Sequence, residues 1–188
     1  MPVSSRYGKG MGMNLANWLT LLRLCLVPVA VAAIVQQAWQ IAFAAYALAG
    51  VSDAVDGFVA RRFNQQTELG AVLDPIADKA LLVSIYVTLA IVGAIPSWLT
   101  ILVVSRDIMI VGAVIISWLL GNPVEIRPLF VSKANTVAQI VFAGFMLFRL
   151  AFGLPLDWLY WPLIGSVCAL TAASMLAYLS SWIKHMAE

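Results

Sequence analysis

Apolar residues run almost uninterrupted through six stretches of the chain, at 15–35, 39–60, 72–95, 98–120, 132–153 and 158–183. Short punctuated segments such as Gly93-Ala94-Ile95-Pro96 and Phe152-Gly153-Leu154-Pro155 separate them. A helix needs about 20 apolar residues to cross the hydrocarbon core of a bilayer, where it must satisfy its own backbone hydrogen bonds. The runs therefore predict an all-α, polytopic membrane protein of six transmembrane helices. A short polar, Gly-rich and weakly basic juxtamembrane segment, 1–14, precedes the membrane domain 15–188 and is expected to lie along an anionic cytoplasmic leaflet. Trp18, Trp39, Trp98, Trp118, Trp158, Trp161 and Trp182 all fall at or near the ends of the runs, the depth an amphipathic indole prefers. The first run follows Arg6 and Lys9 and contains Ala30-Val31-Ala32, features shared with a cleaved secretory leader. Arg23 in its first turns argues instead for a retained helix.

Composition narrows the picture further. Of 188 residues, 63% are hydrophobic and 11% charged, which excludes a water-soluble globular domain. Six crossings leave no room for a separate soluble domain. The near balance of 11 Lys+Arg against 9 Asp+Glu excludes a nucleic-acid binder working through a dense basic face. Arg6, Lys9, Arg61, Arg62, Arg127, Lys133 and Lys184 fall on one side of the six-helix topology, while the connections near 36–39, 93–97 and 153–158 carry no Lys or Arg. By the positive-inside rule both termini are expected on the cytoplasmic side, or the matrix side of a mitochondrial inner membrane. Cys25 and Cys168 lie in apolar runs and are expected to behave as small buried hydrophobes, with neither a disulfide framework nor a metal-ligand spacing. His185, the single histidine, is read as a solvated tail residue.

Four aspartates interrupt this apolar background: Asp53 and Asp56 toward the cytoplasmic end of the second helix, Asp74 and Asp78 at the start of the third. Ionisable groups in membrane helices are costly and default to a functional reading. At about 100° per residue, Asp53, Asp56, Gly57 and Ala60 share one helical face, and Asp74 and Asp78 share another. The short connection 61–71 is expected to make the two helices antiparallel neighbours, so that four carboxylates converge on one pocket. Like charges at this spacing do not all stay ionised unless a cation intervenes, and Arg61, Arg62 and Lys79 supply three. Hard oxygen donors with surplus negative charge suit Mg²⁺ or Mn²⁺, as two ions about 3.5–4 Å apart. A structural ion-pair network between the two helices is the competing reading. Gly57 and Ala60 are either ordinary packing residues or space left for a ligand.

Read in order, Asp53-x2-Asp56-Gly57-x2-Ala60-Arg61-x8-Gly70-x3-Asp74-x3-Asp78 resembles, at every position, the signature of the CDP-alcohol phosphatidyltransferase family. The resemblance covers almost the whole chain, because members are six-helix membrane enzymes, homodimeric, with the site facing the cytoplasm. It implies that Asp53, Asp56 and Asp74 are metal ligands and that Asp78 lies toward the acceptor as ligand or general base. It further implies that Gly57, Ala60, Arg61 and Gly70, with Asn17 and Thr20 of the first helix, hold CDP-diacylglycerol. The reaction so implied displaces CMP by an alcohol, with two divalent ions neutralising the pyrophosphate and a carboxylate receiving the hydroxyl proton. It needs no serine, cysteine or histidine nucleophile.

The acceptor is read from the fourth and fifth helices. Arg106, Arg127 and Lys133 are suited to bind an acceptor phosphate, although Arg106 and Asp107 also read as a structural pair. The segments 104–109 and 127–136 look most like the family's CMP-forming cardiolipin synthases, whose acceptor is phosphatidylglycerol. The alternative is the phosphatidylglycerophosphate synthases, whose acceptor is glycerol 3-phosphate. Asn14-Leu15-Ala16-Asn17-Trp18-Leu19-Thr20-Leu21-Leu22-Arg23 is shared in outline by both and departs at Ala16, where Pro is common. Outside the enzymes, a non-catalytic lipid-binding or transport protein is the rival, and the full aspartate set argues against it.

Overall fold

A computed structural model describes the backbone over 15–63, 68–119 and 130–187, and side chains over 21–53, 77–119 and 130–183. The described residues form six helices and no strand: α1 (Leu15–Val35), α2 (Trp39–Phe63), α3 (Glu68–Ile91), α4 (Ser97–Leu119), α5 (Phe130–Phe152) and α6 (Asp157–Ala187). Ser97–Leu119, Phe130–Phe152 and Asp157–Ile183 are long and apolar enough to cross a membrane, and α1 contributes the shorter apolar stretch Leu21–Val35. The chain is thus a helical membrane protein. The juxtamembrane segment 1–14 lies outside the described residues.

Three connections share one construction. α1, α3 and α5 each end in a left-handed residue, Gln37 (φ 57°), Gly93 (φ 75°) and Gly153 (φ 61°). The amide one residue further on then reaches back to a carbonyl five residues earlier: Ala38 to Ala33 at 2.8 Å, Ala94 to Leu89 at 2.8 Å and Leu154 to Arg149 at 3.2 Å. This closure satisfies carbonyls that a helix end otherwise leaves bare, and it turns the chain sharply enough to start the next helix. The result is three helical hairpins, α1–α2, α3–α4 and α5–α6.

The hairpins pack with α1 as a wedge. α1 lies against both α2 and α3, α5 against α2, α3 and α6, and α4 against α3 and α6. Among the described residues α2 and α3 make no packing contact and α1 packs on both; the connection 64–67 and the side chains 54–76, on which the expected contact between the two helices falls, lie outside the described residues. Small side chains make the wedge possible: Ala30 and Ala33 of α1 and Ala42, Ala45 and Ala49 of α2 are buried. Such residues let helix backbones approach closely where lipid supplies no hydrophobic drive. Gly144 of α5 serves similarly, since a Cβ there would come 3.1 Å from the Tyr46 ring, whose hydroxyl donates to the Ile140 carbonyl at 2.7 Å. Leu81, Ile85, Tyr86 and Leu89 of α3 fill the centre with Phe142 and Met146 of α5.

The periphery is apolar as well, with Ile41, Leu48 and Val51 of α2 and Ile101, Ile108 and Val111 of α4 exposed. In a bilayer these side chains meet acyl chains. Cys25 shares that surface, which corrects the expectation of a buried thiol, and Cys168 is only partly buried. Periodicity did not resolve this, because both faces of a spanning helix are apolar.

Candidate active site

Arg23 organises the first part of the site. It stands on the buried side of α1, where its residue is 1% exposed, and its guanidinium forks between two helices. Nη1 donates to Asp78 Oδ1 of α3 at 2.6 Å, and Nη2 lies 2.9 Å from Asp53 Oδ1 of α2. The two carboxylates are about half exposed, at 52% and 49% of their side-chain surface, so the cation backs them while they face outward. Two of the signature acids therefore meet at one buried positive charge.

Neither the pairing nor the cation was anticipated, since Arg61, Arg62 and Lys79 were the cations expected beside the acids. The side chains of Arg61 and Arg62 lie outside the described residues. Lys79 turns the other way and holds both oxygens of Asp107, at 2.7 and 2.6 Å. Adjacent residues on a helix point about 100° apart, which lets Asp78 and Lys79 serve different neighbours. A signal for Arg23 was available in its depth. It stands eight residues from the start of α1, and Asp53 and Asp78 stand ten residues from the end of α2 and the start of α3. At 1.5 Å per residue those depths agree to within about 3–4 Å.

A second polar cluster joins α3 to α4, α5 and α6. Arg106, buried, donates from Nη1 to Asp107 Oδ1 at 2.8 Å and from Nε and Nη2 to Ser174 Oγ at 3.1 and 2.8 Å. Its Nη2 also bonds Ser132 Oγ, and its Cζ lies 5.6 Å from the centre of the Tyr178 ring. Arg106 thus braces three helices, with its donors turned to protein partners. Lys133, the next residue after Ser132, is exposed, and Arg127 lies outside the described residues. Deeper on α5, Asn135 Oδ1 accepts from Thr171 Oγ1 at 2.8 Å. Asn135 Nδ2 and both amide atoms of Gln139, fully buried, find no partner among the described residues.

The remaining sequence candidates are placed by backbone alone. Asn17 and Thr20 lie in α1, Asp56, Gly57, Ala60 and Arg61 in α2, and Gly70 and Asp74 in α3. Unbroken helix from 53 to 61 and from 70 to 78 keeps the spacings on which the shared-face argument rests. Among the described residues no group of three or more potential ligands forms, since Asp56 and Asp74 have side chains outside them. The donor chemistry suits a hard divalent ion. Two half-exposed carboxylates share one buried cation, leaving negative charge on their open side, and Asp56 and Asp74 stand one turn away on the same helices.

The sequence profile described as CDP-alcohol phosphatidyltransferase matches residues 13–183. A human protein named cardiolipin synthase (CMP-forming) is 34% identical over 177 residues, 86% of this chain; the chain spans only 58% of that protein's length. A Mycobacterium tuberculosis protein named probable phosphatidylglycerophosphate synthase is 34% identical over 187 residues, 96% of this chain and 84% of its own length. From Escherichia coli (strain K12), a CDP-diacylglycerol–glycerol-3-phosphate 3-phosphatidyltransferase is 34% identical over 182 residues, 91% of this chain and 96% of its own length.

Proposed function

Because the chain belongs to the CDP-alcohol phosphatidyltransferase family, we propose that it transfers the phosphatidyl group of CDP-diacylglycerol to phosphatidylglycerol, giving cardiolipin and CMP. The convergence of Asp53 and Asp78, signature acids of two different helices, on one buried guanidinium is the observation that carries this reading. A structural ion pair needs one partner carboxylate and no open side. Here two carboxylates are held with their outer edges exposed, as a ligand set must be.

In this reading Asp53, Asp56 and Asp74, with Asp78, hold two Mg²⁺ or Mn²⁺ ions, which when bound neutralise charge on the pyrophosphate. Gly57, Ala60, Arg61 and Gly70, with Asn17 and Thr20, seat the cytidine diphosphate end of the donor. Asp78 lies toward the acceptor and receives the proton of its hydroxyl as the new O–P bond forms and the P–O bond to CMP breaks. The signature acids fall in the halves of α2 and α3 nearer the face where Lys and Arg concentrate, so the six helices span the inner membrane with the site and both termini on the cytoplasmic or matrix side. A homodimer is the expected assembly.

The acceptor follows from the cations. Glycerol 3-phosphate is a small dianion and calls for several open positive charges, whereas phosphatidylglycerol carries a monoanionic phosphodiester whose chains stay in the bilayer. Among the described residues Lys79 is engaged by Asp107 and Arg106 by Asp107 and two serines, which leaves the exposed Lys133 as the accessible one on α5. Arg127 and Lys133 then meet the acceptor phosphate, with Arg106 behind them. The second reading, glycerol 3-phosphate as acceptor, is favoured by the bacterial relatives, which match at the same identity over more of their own length.

Purified protein given CDP-diacylglycerol and equal concentrations of both acceptors should yield cardiolipin as the main product and none after exhaustive chelation. Phosphatidylglycerophosphate as the main product would sink the acceptor assignment. Turnover surviving chelation would remove the metal reading, and no product with either alcohol would favour a non-catalytic lipid-binding protein.

A further inference from the structure

We propose that Arg23 is a positioning residue whose guanidinium fixes the separation and facing of the Asp53 and Asp78 carboxylates before a divalent cation arrives. This role rests on the metal reading above. Three observations carry it. First, among the described residues α2 and α3 make no packing contact while α1 packs on both, so Arg23 stands on the element that bridges the two acids. Second, among the described residues Arg23 reaches both acids through different nitrogens: Nη1 donates to Asp78, and Nη2 pairs with Asp53 by charge, without hydrogen-bond geometry. A planar guanidinium that presents two nitrogens at a fixed spacing constrains where both carboxylates stand in a way that a single ammonium on a flexible stem does not. Third, Arg23 is 1% exposed while both carboxylates are about half exposed. The guanidinium therefore sits behind the acids, where it offsets their mutual repulsion and leaves their outer edges accessible to a cation from the open side.

The opposing effect is that a positive charge behind a metal site repels the metal. The two effects have opposite signs for substitution. If charge dominates, removing Arg23 tightens metal binding; if positioning dominates, it weakens binding even when the charge is kept.

The test is Mn²⁺ alone titrated into the purified metal-free protein, followed by the loss of the free-ion electron paramagnetic resonance signal. The variants are Arg23→Lys, which keeps the charge and loses the fork, and Arg23→Gln, which loses both. Melting and gel-filtration profiles confirm the folded fraction of each. Positioning predicts Mn²⁺ affinity at least tenfold weaker in both variants. Unchanged or tighter binding in folded Arg23→Lys would overturn the proposal, as would a lowered melting temperature with unaltered affinity, the signature of a merely structural role. Should both variants fail to fold, hydrogen exchange on the wild-type protein decides. Peptides covering Asp53 and Asp78 should keep their protection after chelation, because Arg23 already holds them. Their opening on chelation would show that the metal, not Arg23, sets the geometry. Failure of the wild-type protein to bind Mn²⁺ would overturn the metal reading itself, and with it this role.

Discussion

Arg106 shows how one buried residue can carry two demands. Its donors meet Asp107, Ser132 and Ser174, and Tyr178 covers its face, so its loss strands partners in the interior of the bundle. Breaking a buried charged network by deleting one member costs on the order of 3–5 kcal/mol. Arg106→Ala should therefore lower the melting temperature sharply, and any rise in the phosphatidylglycerol concentration required should come with that loss. A variant of wild-type stability with impaired acceptor use alone would instead make Arg106 a direct phosphate ligand. At this scale the sequence disclosed half of the site. Asp53 and Asp78 were legible because acids inside an apolar run demand a reason. Arg23 was legible only as an oddity, since its meaning depends on two helices that follow it. The partner of Lys79 was hidden too, because Asp107 is reached only once α3 and α4 are closed into a hairpin.

Among the elements, the three hairpin turns differ in one residue. Gly93 and Gly153 adopt their left-handed conformations without a side chain, whereas Gln37 adopts φ 57° with one. The left-handed conformation costs an L-residue roughly 1–2 kcal/mol, and glycine gives back roughly 0.5–1 kcal/mol through its freer unfolded chain. Gln37→Gly should thus stabilise the protein by up to about 1 kcal/mol, read as a raised melting temperature in detergent, and Gly93→Ala should lower it. An open surround at Gly93 means that any loss there is conformational and not steric. The apolar pattern located these elements well, with 15–35 matching α1 to the residue. It misplaced the junction between the second and third helices. α2 continues to Phe63 and α3 begins at Glu68, where the expected runs stopped at 60 and began at 72. Hydropathy registers the stretch that sits in hydrocarbon, while a helix continues into the interface through polar residues such as Arg61, Arg62 and Glu68. The packing of α1 on α3 as well as on α2 was beyond the pattern for another reason: adjacency in sequence favours neighbours but does not say which non-adjacent helices also meet.

For the molecule as a whole, orientation rests on charge. Arg149, in the last turn of α5, is the exception on the sparsely charged side, and it is neutralised locally by Asp157 and stacked 5.6 Å from the Tyr160 ring centre. The exposed Trp98, Trp158 and Trp161 mark the same edge of the bundle, and Trp118 marks the opposite one. Single cysteines at Ser4 and Ala187, in a background without Cys25 and Cys168, should react with an impermeant reagent only from the cytoplasmic side. Labelling of either from outside would reverse the orientation and the side on which CDP-diacylglycerol is met.

The fork of Arg23 also has a consequence for biogenesis. During synthesis α1 leaves the ribosome first, carrying a guanidinium whose farther partner, Asp78, is 55 residues away and not yet made. An arginine near the middle of a lone helix opposes insertion by about 2.5–3.5 kcal/mol. The cost is carried by the apolar residues of the first helix alone until α2 and α3 bring Asp53 and Asp78 to it. The acids proposed to serve the chemistry then act earlier as the counter-charges that let the N-terminal half of the chain settle into the membrane, which ties a defect in the signature to the arrival of the protein as well as to its turnover.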